Sequence, residues 1–156
     1  MTSDKADRVD PAAVVSTMIE ASIDVMRTWV HWDGQPASVD GRIYTPHKAV
    51  RRLTDHLIDH IAQIEAMLVG AVPPEDDWHA SAMTTASDLA PFLPEDAEEA
   101  NARLARLKLV WQCRVGRLSD KQLDARDGDA WSIREIAVHL AESEYYATAI
   151  GRLGGV

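Results

Sequence analysis

The longest helical pattern in the chain, residues 46 to 68, constrains its fold class more than any other stretch. Thr45-Pro46 opens it: threonine is a good N-cap, and proline at the first helical position lacks an amide that would have no partner anyway. Val50, Leu53, Leu57, Ile61, Ile64 and Leu68 then recur in steps of three and four, which a 3.6-residue period gathers into one apolar stripe. Arg51, Arg52, Asp55 and Asp59 fall on the other side and read as a solvated face. A helix of this kind must bury its stripe against another layer. The remainder of the chain offers more helices for that purpose.

Asp10-Pro11 repeats the start signal, and Val14, Met18, Ala21, Val25 and Trp29 carry a first helix toward Gly34. Residues 33 to 44 read as a loop. From Gly70 to about Pro94 no period is sustained, apart from a short turn near Ala86 to Leu89. A connection this long exceeds what antiparallel neighbours need, so it is expected to run the length of the molecule and leave the second and third helices parallel. Glu95, Asp96, Glu98 and Glu99 place negative charge where a helix dipole favours it, and Leu104, Leu107, Trp111, Val115 and Leu118 form the apolar face behind them. Residues 119 to 130 are aspartate-rich and read as a polar turn. The final segment, 131 to 150, begins with a capping box, Ser132 with Glu135, and a staple-like spacing of Trp131 and Ile136. No run of alternating β-branched residues predicts a strand. The expectation is an all-α fold over 1–156, one four-helix bundle in up-down-down-up order, with a polar tail at 1–10 and a crossover at 70–94.

Bulk properties exclude several functions. The formal charge of −9 over 156 residues, with no basic stripe, disfavours nucleic acid as a partner. The longest apolar run, residues 66 to 72, is far too short to span a bilayer, and residues 1 to 10 lack the apolar core of a signal peptide. Cys113, the one cysteine, cannot form an internal disulfide. The expected location is cytoplasmic.

His56 and His60, four apart, stack on one flank of the second helix beside its stripe. His139 falls on the edge of the stripe made by Ile133, Ile136, Ala137, Leu140 and Ala147, next to Ser143 and Tyr146. Bundles build metal sites from such inward-facing side chains. Three imidazoles suit zinc, nickel, iron or copper and leave a position for a reactant. Glu142 and Glu144 are candidates to orient a ligand or act as a base, with Asp55 and Asp59 behind them. Glu144 falls on the apolar stripe by spacing, where its carboxylate would need a partner. His31, His47 and His79 read as surface or capping residues.

The stretch 118–123, Leu-Ser-Asp-Lys-Gln-Leu, followed by Trp131-Ser-Ile-Arg-Glu-Ile-Ala-Val-His139-Leu, resembles the helix-turn-helix of the DinB-like superfamily that presents its first metal histidine. His56 and His60 are similar to the H-x-x-x-H pair that the family carries on a later helix. Here the pair comes first, so the two helical hairpins stand in exchanged order. The resemblance implies a metal-dependent hydrolase, or a transferase or isomerase that uses a low-molecular-weight thiol. It further implies a divalent ion (Zn, Ni, Mn or Fe), a small-molecule substrate and often a homodimer. The other reading is a non-catalytic helical binding or stress-associated protein, in which these histidines form a hydrogen-bonded core cluster or hold metal for stability alone.

Overall fold

A computed structural model describes residues 8–154; most of the polar tail expected at 1–10, residues 1–7, lies outside them. The chain is mostly helical. Helix α1 spans Pro11–Met26, capped by the Asp10 carboxylate, which accepts from the amides of Ala12 and Ala13. Its expected continuation to Gly34 changes form, because Arg27–His31 tightens into a 3₁₀ turn. There the Thr28 hydroxyl bonds back to the Val25 carbonyl at 2.7 Å, competing with the regular ladder. Helix α2, Pro46–Leu68, begins where the sequence places it, with Thr45 Oγ1 accepting from the Lys48 amide.

The expectation that the chain contains no strand is corrected at residues 37–44. Strand β1, Ala37–Val39, pairs antiparallel with β2, Arg42–Tyr44. The turn between them is Asp40-Gly41, both at positive φ (51° and 72°), the conformation a tight hairpin loop requires. The hairpin is anchored by Tyr44, 1 % exposed, whose ring meets those of Tyr145 and Tyr146.

The long connection is not featureless. It forms 3₁₀ turns at Trp78–Ala82 and Ala86–Leu89, the second at the expected place. It folds back along α2, tied successively to Asp59 by the Asp77 amide, to Arg52 by the Trp78 carbonyl, to Arg51 by Asp88, and to His47 by the Pro91 carbonyl. This corrects the reading of Arg52 as solvated. The connection covers the second face of α2, and Arg52 is 2 % exposed.

Helix α3 spans Pro94–Val115 and buries Ala97, Ala100, Leu104, Trp111 and Val115. The aspartate-rich turn contains one helical turn, α4, Asp120–Leu123, capped by Ser119. The last segment departs from a single helix. Helix α5, Ile133–Ala141, starts from the expected capping box, Glu135 N to Ser132 Oγ at 3.2 Å and Ser132 N to Glu135 Oε2 at 2.8 Å. At Glu142 and Ser143 the backbone bonds shorten to three-residue spacing, and α6, Glu144–Thr148, follows. A 3₁₀ stretch advances each residue further round the axis than an α-helix does. The buried positions beyond it are therefore Ser143, Tyr146 and Ala147, while Glu144 is turned outward and exposed.

The apolar stripes of all these elements meet in one continuous core, with Ile19, Trp29, Leu53, Leu57, Leu104, Ile136 and Leu140 completely enclosed. No helix among the described residues is long and apolar enough to cross a membrane.

Candidate metal centre

Helix period places His56 and His60 one turn apart near the middle of α2, and the Ser132 cap sets the register that puts His139 in the last turn of α5. The fold brings the three together. His56 Nε2 lies 3.0 Å from His139 Nε2 and 3.1 Å from His60 Nε2, and the candidate ligand atoms of the trio all fall within 4.8 Å of one another. Two nitrogens bound at about 2.1 Å to a shared ion stand about 3.0 to 3.4 Å apart for ligand angles between 90° and tetrahedral. Both close separations fall in that range. His56 and His60 are buried and His139 is partly exposed, so one side of the cluster opens outward.

The partners of the other ring nitrogens decide what this cluster can do. Gln63 Oε1 lies 2.7 Å from His60 Nδ1, and an amide oxygen only accepts, so that nitrogen carries the proton and Nε2 keeps its lone pair. Glu142 Oε2, 3.6 Å from His139 Nδ1, favours the same tautomer there. His56 Nε2 faces both lone pairs and can donate to only one of them. With its Nδ1 donating 2.7 Å to Ser143 Oγ instead, three lone pairs converge. A cation satisfies all three at once, and Gln63, Ser143 and Glu142 occupy the places from which outer partners orient metal-bound imidazoles. The three histidines could bind a metal ion.

Electrostatics keep two of these rings in the ligating form. Burial, and then the neighbouring His60 and His139, push the His56 pKa down to about 3. Burial and then His60 also lower that of His139, against the opposing pull of Glu142. A histidine whose folded pKa lies below its unfolded value stabilises the fold above the unfolded value, and that contribution is lost as pH falls toward the folded one. In chelator-treated protein, protonating His56 should therefore cost on the order of 1 kcal/mol per pH unit as pH falls from about 6.5 toward 3. Urea midpoints at pH 7 and pH 5 check this. A fall of about 2 kcal/mol in stability is expected from this group, flattened in His56→Gln, and equal midpoints would contradict it.

The remaining candidates separate. Glu142 is exposed but stays beside His139. Glu144 is not on the buried stripe; it lines a different groove with Val9, Asp10, Val14 and Met18, so the expected role beside the imidazoles lacks the required placement. Asp59 accepts from the Asp77 amide and helps to hold the connection, while Asp55 borders a cleft toward Asp88 and Arg103. His47 bonds to the Pro91 carbonyl, and exposed His79 packs against Trp78 with its ring tilted by 34°. Cys113 is exposed and belongs to none of the clefts described here.

Sequence reasoning missed Trp78, whose ring stacks on His56 at 4.1 Å and 23°. Nothing in the aperiodic connection marked it beyond the tryptophan itself. Trp131 leans on His139, with ring centroids 4.8 Å apart. The ring of Trp78, with His56, His139, Glu142, Ser143, Tyr145 and Tyr146, lines a cavity of about 340 Å³. A second cleft, about 550 Å³, meets His139 from the side of Trp131, Val138 and Val9. Burial raises the Tyr146 pKa above its ordinary value, with Arg52 opposing, so its hydroxyl is protonated at neutral pH.

Comparison with protein-family models, with curated proteins and with solved structures finds no match for this chain.

Proposed function

We propose that His56, His60 and His139 hold one divalent ion in an enzyme of the DinB-like kind, a hydrolase or a thiol-dependent S-transferase acting on a small electrophile. The observation that carries this reading is the convergence of the imidazoles, with His56 Nε2 within 3.1 Å of both its neighbours. Zinc, nickel, manganese or iron would supply Lewis acidity, lowering the pKa of water or a thiol toward neutrality. The chain's own residues prepare the place. Trp78 shields the His56 ring from water, Ser143, Gln63 and Glu142 fix the ring orientations, and the partly exposed edge of His139 admits the reactant. Glu142 is the carboxylate positioned to take or return a proton beside that edge.

The architecture proposed with this function is a four-helix bundle in up-down-down-up order, with its two hairpins exchanged relative to the family. Contacts between the ends of elements support it. Trp111 Nε1 of α3 donates to the Pro11 carbonyl at the start of α1. His47, at the start of α2, meets Phe92 just before α3. Arg52 and His56 of α2 meet Tyr146 and His139 in reversed order. The proposal extends to a cytoplasmic protein paired as a homodimer.

One observation favours the second reading, a core cluster without chemistry. His56 can accept from Ser143 and donate to His139, and so satisfy itself through hydrogen bonds. Metal analysis of protein purified without a histidine tag separates the two. About one ion per chain, and a lower melting temperature after chelation, are expected. Metal-free protein whose melting is indifferent to chelator would overturn the enzyme reading.

A further inference from the structure

We infer that the Tyr146 hydroxyl, oriented by the buried guanidinium of Arg52, donates a hydrogen bond to an oxyanion in the cavity beside the three imidazoles, making that cavity selective for small ligands bearing a carboxylate. This inference rests on the metal reading above and names the ligand class of the same site.

Arg52 is 2 % exposed, yet every partner it has among the described residues is neutral. Its Nη1 donates to the Trp78 carbonyl at 2.9 Å and to Ser81 Oγ at 3.3 Å, and its Nη2 donates to the Tyr146 oxygen at 3.1 Å. The guanidinium carbon lies 4.4 Å from the Trp78 ring centre and 5.2 Å from that of Tyr146. The buried acid of this region, Asp88, is taken by Arg51 at 2.7 Å. Lys48, 4 % exposed, also ends on neutral oxygens, the Ile43 carbonyl at 2.8 Å and Thr84 Oγ1 at 3.0 Å. A buried cation without a counter-charge is costly. Three neutral imidazoles around a divalent ion would add positive charge and remove none. Glu142, 3.6 Å from His139 Nδ1 at the partly exposed edge of the cavity, offsets part of this excess, and an anion entering beside Tyr146 balances the remainder.

Tyr146 is the group through which Arg52 reaches that cavity. Arginine has no acceptor, so in their contact the phenol oxygen accepts and the phenol proton is left over. Among the described residues no acceptor bonds to that proton, although Tyr146 is 7 % exposed and lines the cavity with His56 and His139. A hydroxyl that already accepts from a cation is a stronger donor. The rings of Trp78 and Tyr145 form apolar walls that suit a planar body behind the carboxylate, with Ser143 and the exposed Glu142 completing the lining. At about 340 Å³ the cavity is at the small end of ligand pockets.

Untagged protein loaded with Co²⁺ and titrated with benzoate, followed by visible absorption, tests this directly. Benzoate should perturb the Co²⁺ spectrum saturably, whereas the neutral isostere benzamide should bind at least about tenfold more weakly. Tyr146→Phe should keep one Co²⁺ per chain and lose benzoate affinity by about tenfold or more. Arg52 acts as a positioning residue: Arg52→Gln should weaken benzoate binding, Arg52→Lys less so, and neither should weaken it further in the Tyr146→Phe background. Benzamide binding as tightly as benzoate overturns the inference without any variant. Equal benzoate affinity in Tyr146→Phe does the same. In both cases retained Co²⁺ leaves the metal reading intact, whereas native protein that takes up no Co²⁺ overturns both.

Discussion

His139→Ala is expected to release the metal while leaving the helical signal and the melting of the metal-free protein nearly unchanged. The argument is one of where the ligands come from. His56 and His60 are one turn apart on the same helix, and a pair on one face cannot by itself surround an ion. His139 is the donor that arrives from α5 and closes the third side, with its Nε2 3.0 Å from His56 Nε2. Loss of outer partners of metal ligands typically costs 10- to 100-fold in affinity, so loss of a ligand should cost more than about 100-fold. The fold should barely notice. The His139 side chain is 27 % exposed, and the buried stripe of α5 is Ile133, Ile136, Ala137 and Leu140. Equilibrium competition against a chromophoric chelator gives the affinity, and circular dichroism gives the helix content. Ser143→Ala, which removes the hydroxyl 2.7 Å from His56 Nδ1, should fall between the two, about 10- to 100-fold weaker. Native affinity in His139→Ala would remove this residue from the site and with it the proposed chemistry.

The parts of this site legible in the sequence are those governed by a helical period. The four-residue spacing of His56 and His60 needs only α2 to exist, and the Ser132 and Glu135 capping box sets the register of His139 from its own helix start. Neither signal reaches past a break in the period. Extending α5 without interruption put Glu144 on the buried stripe. The shortened bonds at Glu142 and Ser143 rotate it outward and bring Ser143 to His56 instead. Periodicity also reports one buried face per helix. Arg52 lies off the α2 stripe, and only the connection folding back over that helix, with the Trp78 carbonyl accepting from it, makes the position interior. The 37–44 hairpin is a different kind of miss. Asp40-Gly41 carried the signal of a two-residue turn, but the flanking strands are three residues each, too short to show alternation.

Trp29→Ala is expected to cost about 4 kcal/mol, a large share of the 5 to 15 kcal/mol by which a domain is typically stable. Trp29 is completely buried in the 3₁₀ turn that ends α1, and three separate parts of the chain meet on it. Its ring packs edge-on against Phe92 just before α3, with centroids 6.1 Å apart. Its indole nitrogen donates 2.9 Å to the Gly151 carbonyl beyond α6. Alanine removes the ring and leaves a cavity that these neighbours can only partly fill, and it strips the Gly151 carbonyl of its donor. Trp29→Phe divides the two contributions. It keeps most of the volume and loses the hydrogen bond, so about 1 to 2 kcal/mol is expected from that variant. For a chain of this size about 4 kcal/mol corresponds to a fall in melting temperature of roughly 8 to 16 °C. Urea unfolding with an unchanged m-value would give the same ranking, native over Trp29→Phe over Trp29→Ala. A loss below about 1 kcal/mol in the alanine variant would mean that the first helix, the start of the third and the C-terminal segment do not meet at this ring.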